Sequence, residues 1–239
     1  DESHRFNELS YWTDLAQTLE QGLFDGLFIA DITGVYDVYQ NGLDLTLKES
    51  IQLPSHDPST LVSAMAAVTQ HLGFGVTVNL SYESPYQFAR RFASLDHLTH
   101  GRIGWNIVTG YLDSAERLIG QKGLKDHDLR YEQAEEFLEL CYKFWEGSWE
   151  DDAVQKDKLN RVFTDPSKVH AIQHEGKFFQ SQGIFQVSPS IQRTPVLYQA
   201  GASSKGLAFA TQHAEAMFIG ADTPEKLKQQ VDKIRALAL

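Results

Sequence analysis

The sequence predicts an α/β fold with a parallel sheet, and within that class the closed ring of strands and helices known as the (β/α)8 TIM barrel. Short apolar runs alternate with amphipathic helical patterns, the order that parallel strands joined by crossover helices produce. Polar residues follow several successive strands, and no glycine-rich dinucleotide-binding turn follows any of them. Sites at many strand ends favour a barrel over an open dinucleotide-binding sheet.

The first unit is a helix followed at once by a strand. Apolar residues recur at three- and four-residue spacing from Leu9 to Leu19, and Gly22 supplies a stop. Residues 26–30 form a short apolar run ending at Asp31. This run predicts a parallel strand that is buried on both faces and has a polar residue at its carboxyl end.

The next two units repeat this order. Asp57-Pro58 reads as the N-cap and first residue of a helix that leads to a strand over residues 74–80. Ser84-Pro85 begins another helix, and a strand follows over residues 102–108. We predict that this second helix buries an apolar stripe, made of Phe88, Phe92, Leu95 and Leu98.

The later units are spaced more loosely. Helical patterns cover residues 129–145 and 204–213, and a third helix begins at Thr223-Pro224. Apolar runs at 195–200 and 216–219 predict the strands between them. We expect one domain over residues 1–239.

Two segments interrupt the alternation. Residues 35–54 are a polar and aromatic insert, and residues 146–194 form a charged stretch with too little apolar periodicity for a core element. Long loops on one face of a barrel often shape a substrate site. We interpret the acidic block at 146–152 as a solvated loop and expect no metal there.

Composition excludes several classes of protein. The net charge of −11 opposes binding to nucleic acid or to an anionic membrane surface, and no apolar run approaches the length of a membrane span. Cys141 has no second cysteine for a disulfide, and its helical neighbours predict a packed core thiol. We expect a soluble cytoplasmic protein.

Several ordered motifs together resemble one family, the bacterial-luciferase-like flavin monooxygenases, in the branch of the nitrilotriacetate, dibenzothiophene-sulfone and long-chain alkane monooxygenases. The resemblance covers nearly the whole chain. The motifs are FDGLFIAD (24–31), VYDVY (35–39), SYESPYQFARRFASLDHLTHGRIGWNIVTG (81–110), DHDLRYEQAEEF (126–137), SWEDDAV (148–154), HEGKFF (174–179) and QAGASSKG (199–206).

The resemblance implies a TIM barrel that is incomplete here, lacking the first strand and the C-terminal portion. It implies an oxygenase that uses reduced FMN (FMNH₂) and O₂ on a small organic substrate. A separate NAD(P)H:FMN reductase would supply the flavin, and the protein would form a homodimer or homotetramer. Which substrate is oxidised stays open at this point.

The resemblance also implies the residues at the flavin ring. Asp31, at a strand end, would accept a hydrogen bond from a ring N–H, and Thr77 on the following strand would be the next contact. Asn106 and Thr109 offer an amide and a hydroxyl at another strand end, suited to the ring carbonyls and nitrogens or to the ribityl hydroxyls.

A second group would hold the phosphate. His127 and Tyr131 are four residues apart at a helix start, so they share one face. Ala202, Ser203 and Ser204 lie between a strand and a helix, where backbone N–H groups and hydroxyls can bind a phosphate. The GASSKG loop is not a nucleotide-hydrolysing Walker motif, because its lysine precedes a glycine and not Ser or Thr.

Tyr36 is the candidate catalytic residue. It follows Asp31 by five residues, and by resemblance it lines the active site, where it either donates a hydrogen bond to activated oxygen or packs the loop. The chain departs from many relatives at Gly110-Tyr111, where Ser or His is common. This departure leaves the substrate type and any local proton donor open.

Three alternatives remain at the level of sequence. One is a deazaflavin-dependent hydride-transfer enzyme of the same superfamily. Another is a metal-dependent TIM-barrel hydrolase that would use His127, Asp128 and the acidic loop. The third is a homologue that binds flavin without turnover.

Overall fold

The structure is a computed structural model that describes residues 2–201 and 203–238. Its strands are β1 (Gly26–Ile29), β2 (Gly73–Asn79), β3 (Ile103–Val108), β4 (Val154–Asp157), β5 (Val162–Thr164), β6 (Ile172–Glu175), β7 (Gln180–Gly183), β8 (Val196–Gln199) and β9 (Ala216–Met217). Its helices are α1 (Leu9–Gln21), α2 (Asp44–Lys48), α3 (Ser59–Ala67), α4 (Pro85–Thr99), α5 (Asp113–Leu118), α6 (His127–Tyr142), α7 (Ser204–His213) and α8 (Pro224–Leu237).

A parallel sheet forms the centre, with the strand order β1-β2-β3-β8-β9. Although β1 and β9 are its two edges, the ring of Phe28 in β1 stacks on Phe218, just after β9, with centroids 6.0 Å apart. Flat sheets do not bring opposite edges into contact, so this sheet is strongly curled. The fold is part of the wall of a (β/α) barrel, and the predicted parallel α/β class is confirmed.

The convex face of the sheet packs on helices through aromatic rings. Phe88 of α4 lies 4.2 Å from Trp105 of β3 and 5.5 Å from Phe137 of α6, measured between ring centroids. All three side chains are fully buried, and the Trp105 indole donates to the Val78 carbonyl at 3.0 Å. Burying such rings contributes about 1.5–3 kcal/mol each. This cluster packs α4 and α6 together on the sheet.

Two positions on the concave face of the sheet are glycines. A methyl group on Gly104 would lie 2.6 Å from the Tyr198 ring, and one on Gly75 would lie 3.2 Å from Phe28. These glycines therefore make room for the two rings. Phe28 is 40% exposed and Phe218 is 69% exposed, so apolar rings on this face remain open to solvent.

Two local predictions are wrong. The expectation that β1 is buried on both faces fails because β1 is an edge strand, with its residues alternating between exposed and half-buried. Leu98, predicted to lie in the buried stripe of α4, is 63% exposed. That helix buries Leu95, Asp96 and Thr99 in its last turns instead, so its buried face turns away from Leu98.

The charged stretch 146–194 contains regular structure that its composition does not predict. Strands β4 and β5 form one antiparallel hairpin and β6 and β7 another. The buried Ser148 hydroxyl anchors the stretch, donating to the His170 carbonyl at 2.9 Å and accepting from the Phe185 amide at 2.8 Å. The assignment of this stretch as an insertion loop region within the domain stays a prediction. The assignment of residues 1–239 to one domain stays a prediction.

None of the helices in the described ranges combines the length and the apolar character needed to cross a lipid bilayer.

Candidate functional site

The carboxyl ends of adjacent strands bring polar residues to one edge of the sheet. Thr77 of β2 is paired in register with Asn106 of β3, and Asn106 with Tyr198 of β8. In β1, Ile29 pairs with Val76, so Asp31 leaves the sheet at the same edge. Parallel strands share one direction, which is why residues distant in sequence meet there.

Thr77 and Asn106 form a buried polar pair at this edge. The Asn106 amide nitrogen donates to the Thr77 hydroxyl at 2.9 Å, and both residues are at least 95% buried. The Asn106 Oδ1 atom is buried without a hydrogen-bond partner in the described part of the chain. An unsatisfied buried carbonyl costs about 1–3 kcal/mol. Such an atom fits a site where a ligand N–H completes the hydrogen bond.

Asp31 and Thr109 flank this pair without bonding to it within the described residues. Asp31 is half-buried, and its pKa is raised by burial and by the charge of Asp57, against the opposing effect of the Ile32 amide. The carbonyl of Thr109 accepts from the Ser81 hydroxyl at 3.0 Å. A partly desolvated carboxylate favours a ligand that brings a hydrogen-bond donor.

A second cluster forms where α6 and α7 begin. Tyr131 is 92% buried, since 8% of its surface is exposed, and its hydroxyl lies against the turn that leads into α7. A methyl group on Gly206 would lie 2.7 Å from that hydroxyl, and one on Gly201 would lie 3.1 Å from it. The ring of His127 contacts Tyr131, with centroids 5.1 Å apart. The structure thus brings Tyr131 to Gly201 and Gly206, with His127 beside it.

Ser203 caps α7, because its Oγ accepts from the Gly206 amide at 3.0 Å. Ser203 and Ser204 are exposed at the start of this ten-residue helix, where the helix dipole favours an anion. Ala202, also predicted to bind phosphate, lies outside the described residues. Backbone amides and hydroxyls at this turn match the donor set that a phosphate needs.

Tyr36 is hydrogen-bonded to Tyr111. In the sequence, Tyr111 is notable only because many relatives have a different residue there. The two tyrosine hydroxyls share this hydrogen bond across the loops that follow β1 and β3. Ser114 ties the same loops, since its hydroxyl donates to the Val35 carbonyl at 2.6 Å and accepts from the Val35 amide at 3.0 Å. Burial, then the hydrogen bond with Tyr36, raises the pKa of Tyr111 to about 12.

A buried polar group behind these loops is missed by sequence reasoning. Glu116 and Arg130 are 2% and 7% exposed, and burial together with Glu116 raises the pKa of Tyr82 to about 12. A methyl group on Gly110, which has a φ of +77°, would lie 2.7 Å from both Asn79 Nδ2 and the Tyr82 hydroxyl. Glycine is therefore required at position 110, because a side chain has no room there and the positive φ disfavours other residues. No local sequence pattern predicts this group, because its members come from separate segments.

Three histidines, including His127 of the metal alternative, have protein partners. His97 bonds to the Ser188 carbonyl at 3.0 Å, and His170 pairs with Glu150 at 2.9 Å. His127 pairs with its neighbour Asp128 at 3.1 Å. Within residues 2–201 and 203–238, no three His, Cys, Asp or Glu side chains are grouped closely enough to hold a metal ion.

A curled parallel α/β sheet with polar clusters at its carboxyl edge defines a barrel-wall protein of the TIM type, with its site in the usual place for that class. The chain belongs to the luciferase-like monooxygenase family, whose sequence profile matches residues 1–238.

Individual relatives agree with this membership. The chain is 54% identical to the long-chain alkane monooxygenase of Geobacillus thermodenitrificans over 100% of its own length and 54% of that protein's. It is 53% identical to the dimethyl-sulfide monooxygenase of Hyphomicrobium sulfonivorans, covering 97% of the chain and 48% of the relative. A crystal structure of a riboflavin lyase with modified FMN and riboflavin superposes with a TM-score of 0.94 at 45% identity, covering 98% and 52% of the two chains. The chain thus spans about half the length of these relatives.

Proposed function

We propose that this chain contributes the FMN site of a monooxygenase that uses FMNH₂ and O₂ on a small organic substrate. The observation that carries the proposal is the buried Asn106 carbonyl oxygen, left without a partner at the carboxyl edge of the sheet. The relatives named above include two monooxygenases and one protein solved with a modified FMN, which supports the choice of ligand.

One cluster of residues suits the flavin ring, and the other suits its phosphate. Asn106, Thr77, Asp31 and Thr109 offer acceptors and hydroxyls for the N–H and carbonyl groups of the ring. Tyr131, His127, Ser203 and Ser204 offer hydroxyls, an imidazole and a helix start for the phosphate. Gly201 and Gly206 keep the turn free of side chains where it approaches Tyr131.

When bound, reduced flavin supplies the electrons that activate O₂, and the protein orients the reactants and excludes water. Tyr36 is the proposed proton donor, and its hydrogen bond to Tyr111 holds the Tyr36 hydroxyl in place. A separate NAD(P)H:FMN reductase would deliver the flavin, as the resemblance to this family implies. We further expect a cytoplasmic homodimer or homotetramer.

We expect an uncharged, apolar substrate. Arg117 of α5 already pairs with Asp113 and with Asp37, the residue after Tyr36, so two carboxylates compete with any substrate carboxylate for this cation. Two relatives above act, by name, on a long-chain alkane and on dimethyl sulfide, which are both uncharged.

The test is oxygen uptake with supplied FMNH₂ over a panel of alkanes, thioethers, sulfones and polycarboxylates, with ¹⁸O₂ to follow the oxygen atom. We expect one labelled oxygen in an uncharged product. Asn106→Leu is the variant at the site, and Leu98→Ala on the exposed surface of α4 is its matched control. Hydride transfer from a reduced deazaflavin without oxygen uptake would overturn the proposal, as would retention of a metal with no affinity for FMN.

A further inference from the structure

Asp128 links the beginnings of two helices that are distant in sequence. Its Oδ2 lies 3.4 Å from Lys205 Nζ on α7, and its Oδ1 lies 3.1 Å from His127 Nδ1 on α6. About half of each of these three side chains is exposed, so they are accessible to a ligand. The hydrogen bond to His127, and the charge of Lys205 after it, lower the pKa of Asp128 and keep it anionic.

The two helix starts differ in what they offer an anion. At α6, Asp126 Oδ1 already accepts from the amides of Asp128 and Leu129, at 2.9 and 3.3 Å. At α7, Ser203 engages the amides of Gly206 and Leu207. The amides of Ser204 and Lys205 have no acceptor within the described residues. The start of α7 therefore keeps two successive amides open to an anion, whereas the side chain of Asp126 already fills this position at α6.

A second observation points to a ligand at the same place. Tyr131 is 92% buried, being 8% exposed, and its hydroxyl faces the turn before α7. Within residues 2–201 and 203–238, that hydroxyl has no hydrogen-bond partner. The ring of Tyr131 is fixed by burial while its hydroxyl has a free O–H to donate, so this hydroxyl suits a ligand acceptor beside the turn. A phosphate oxygen above the start of α7 would accept from it.

We propose that Lys205 and Asp128 form a specificity pair that selects a phosphorylated flavin over one without phosphate, an inference that rests on the proposed function. In the free protein Asp128 holds the Lys205 ammonium beside the open amides. A bound phosphate monoester carries a charge of about −1.5 to −2 and competes with the single charge of Asp128 for that ammonium. Lys205 favours the phosphate, and Asp128 opposes it by competition and by like-charge repulsion.

The signs of the effects follow from this arrangement. Removing the Lys205 charge weakens FMN binding, and removing the Asp128 charge strengthens it. Riboflavin has the same ring and no phosphate, so its affinity stays unchanged in both variants. Since the pair is partly exposed, the changes are modest, about threefold to tenfold in Kd.

The experiment is a flavin fluorescence titration of the 239-residue chain with FMN and with riboflavin. The variants are Lys205→Gln, Asp128→Asn and the double variant, each checked by thermal unfolding. We expect a higher Kd for FMN in Lys205→Gln and a lower one in Asp128→Asn. The double variant should resemble Lys205→Gln, because Asp128 acts mainly through Lys205.

The chain offers a matched control on the same helix. Glu132 of α6 pairs with Lys177 at 2.7 Å, and both side chains are at least half exposed. Lys177→Gln and Glu132→Gln change net charge in the same way and should leave both flavins bound as before. An equal shift of the Kd for FMN in these controls would indicate a general charge effect and would overturn the proposed specificity pair.

The remaining outcomes separate the two proposals. If the unaltered chain binds FMN and the ratio of FMN to riboflavin affinity is the same in every variant, the specificity pair is wrong while the proposed function stands. If the unaltered chain binds neither flavin, the proposed function fails and the pair fails with it.

Discussion

The hydroxyl of Tyr131 packs against the backbone of Gly206, so closely that a methyl group on this glycine would come within 2.7 Å of the oxygen. This contact joins α6 to α7 at the proposed phosphate end. It requires a small residue at 206 because the neighbouring turn is also tight, with Ser203 Oγ 3.0 Å from the same methyl position.

We predict that Gly206→Ala destabilises the chain by about 1–3 kcal/mol, the usual cost of overpacking. Alanine gains about 0.5–1 kcal/mol in a helix relative to glycine, which is too little to offset the clash. Urea unfolding measures the net effect. Adding Tyr131→Phe removes the oxygen and should recover part of the loss. A fully additive double variant would show that the Tyr131 contact is not responsible.

Replacing Asn106 by leucine should separate stability from binding. The side chain loses an unpaired buried carbonyl, so we expect thermal stability to be unchanged or higher, especially with Thr77→Val to remove its former partner. FMN affinity should fall by about 1–3 kcal/mol. Differential scanning calorimetry and a flavin titration report the two quantities. A large loss of stability with normal FMN affinity would show that the pair is structural.

Glu136 should make the free energy of unfolding depend on pH in the acidic range. Burial opposes its ionisation, but the Phe179 and Phe178 amides, at 2.7 and 2.9 Å, and His174 together lower its pKa. A lowered folded pKa means that the stabilisation is fully present above the unfolded pKa of about 4.3 and is lost as pH falls through the folded value.

The variant Glu136→Gln tests this dependence. We expect it to cost about 1–3 kcal/mol near neutral pH, because the hydrogen bonds to a charged acceptor are weakened. The difference from the unaltered chain should shrink as the pH falls below about 4. Denaturant unfolding across that range measures the difference. A constant difference at every pH would contradict the assignment.

Tyr36→Phe should affect turnover and not flavin binding. If the Tyr36 hydroxyl is the proton donor, product formation falls by about a hundredfold, the lower end of what such a donor supplies. FMN affinity should be unchanged, and more of the consumed O₂ should be lost as hydrogen peroxide. Tyr39→Phe, in the same loop and 58% exposed, is the matched control. Equal product yield in both variants would assign Tyr36 a packing role only.

Local sequence patterns predicted much of the framework. The periodicity of residues 9–19 and the cap at Ser84 place α1 and α4 correctly, because helix faces and caps depend on neighbours within a few residues. The burial of Leu98 is predicted wrongly and the hairpins of 146–194 are not predicted, because both depend on which distant segments pack together.

By itself, the sequence determined the parallel α/β class, the carboxyl edge as the place for polar groups and the resemblance to a flavin-using family. The tertiary structure alone decided which of those groups meet. Thr77 and Asn106 meet because β2 and β3 pair in register, Tyr36 and Tyr111 because their loops are clamped together. Lys205 and Asp128 meet because α6 and α7 begin side by side. Such contacts join residues about 30 to 80 positions apart, and chain spacing carries no signal of them, since packing and not neighbouring sequence sets the distance.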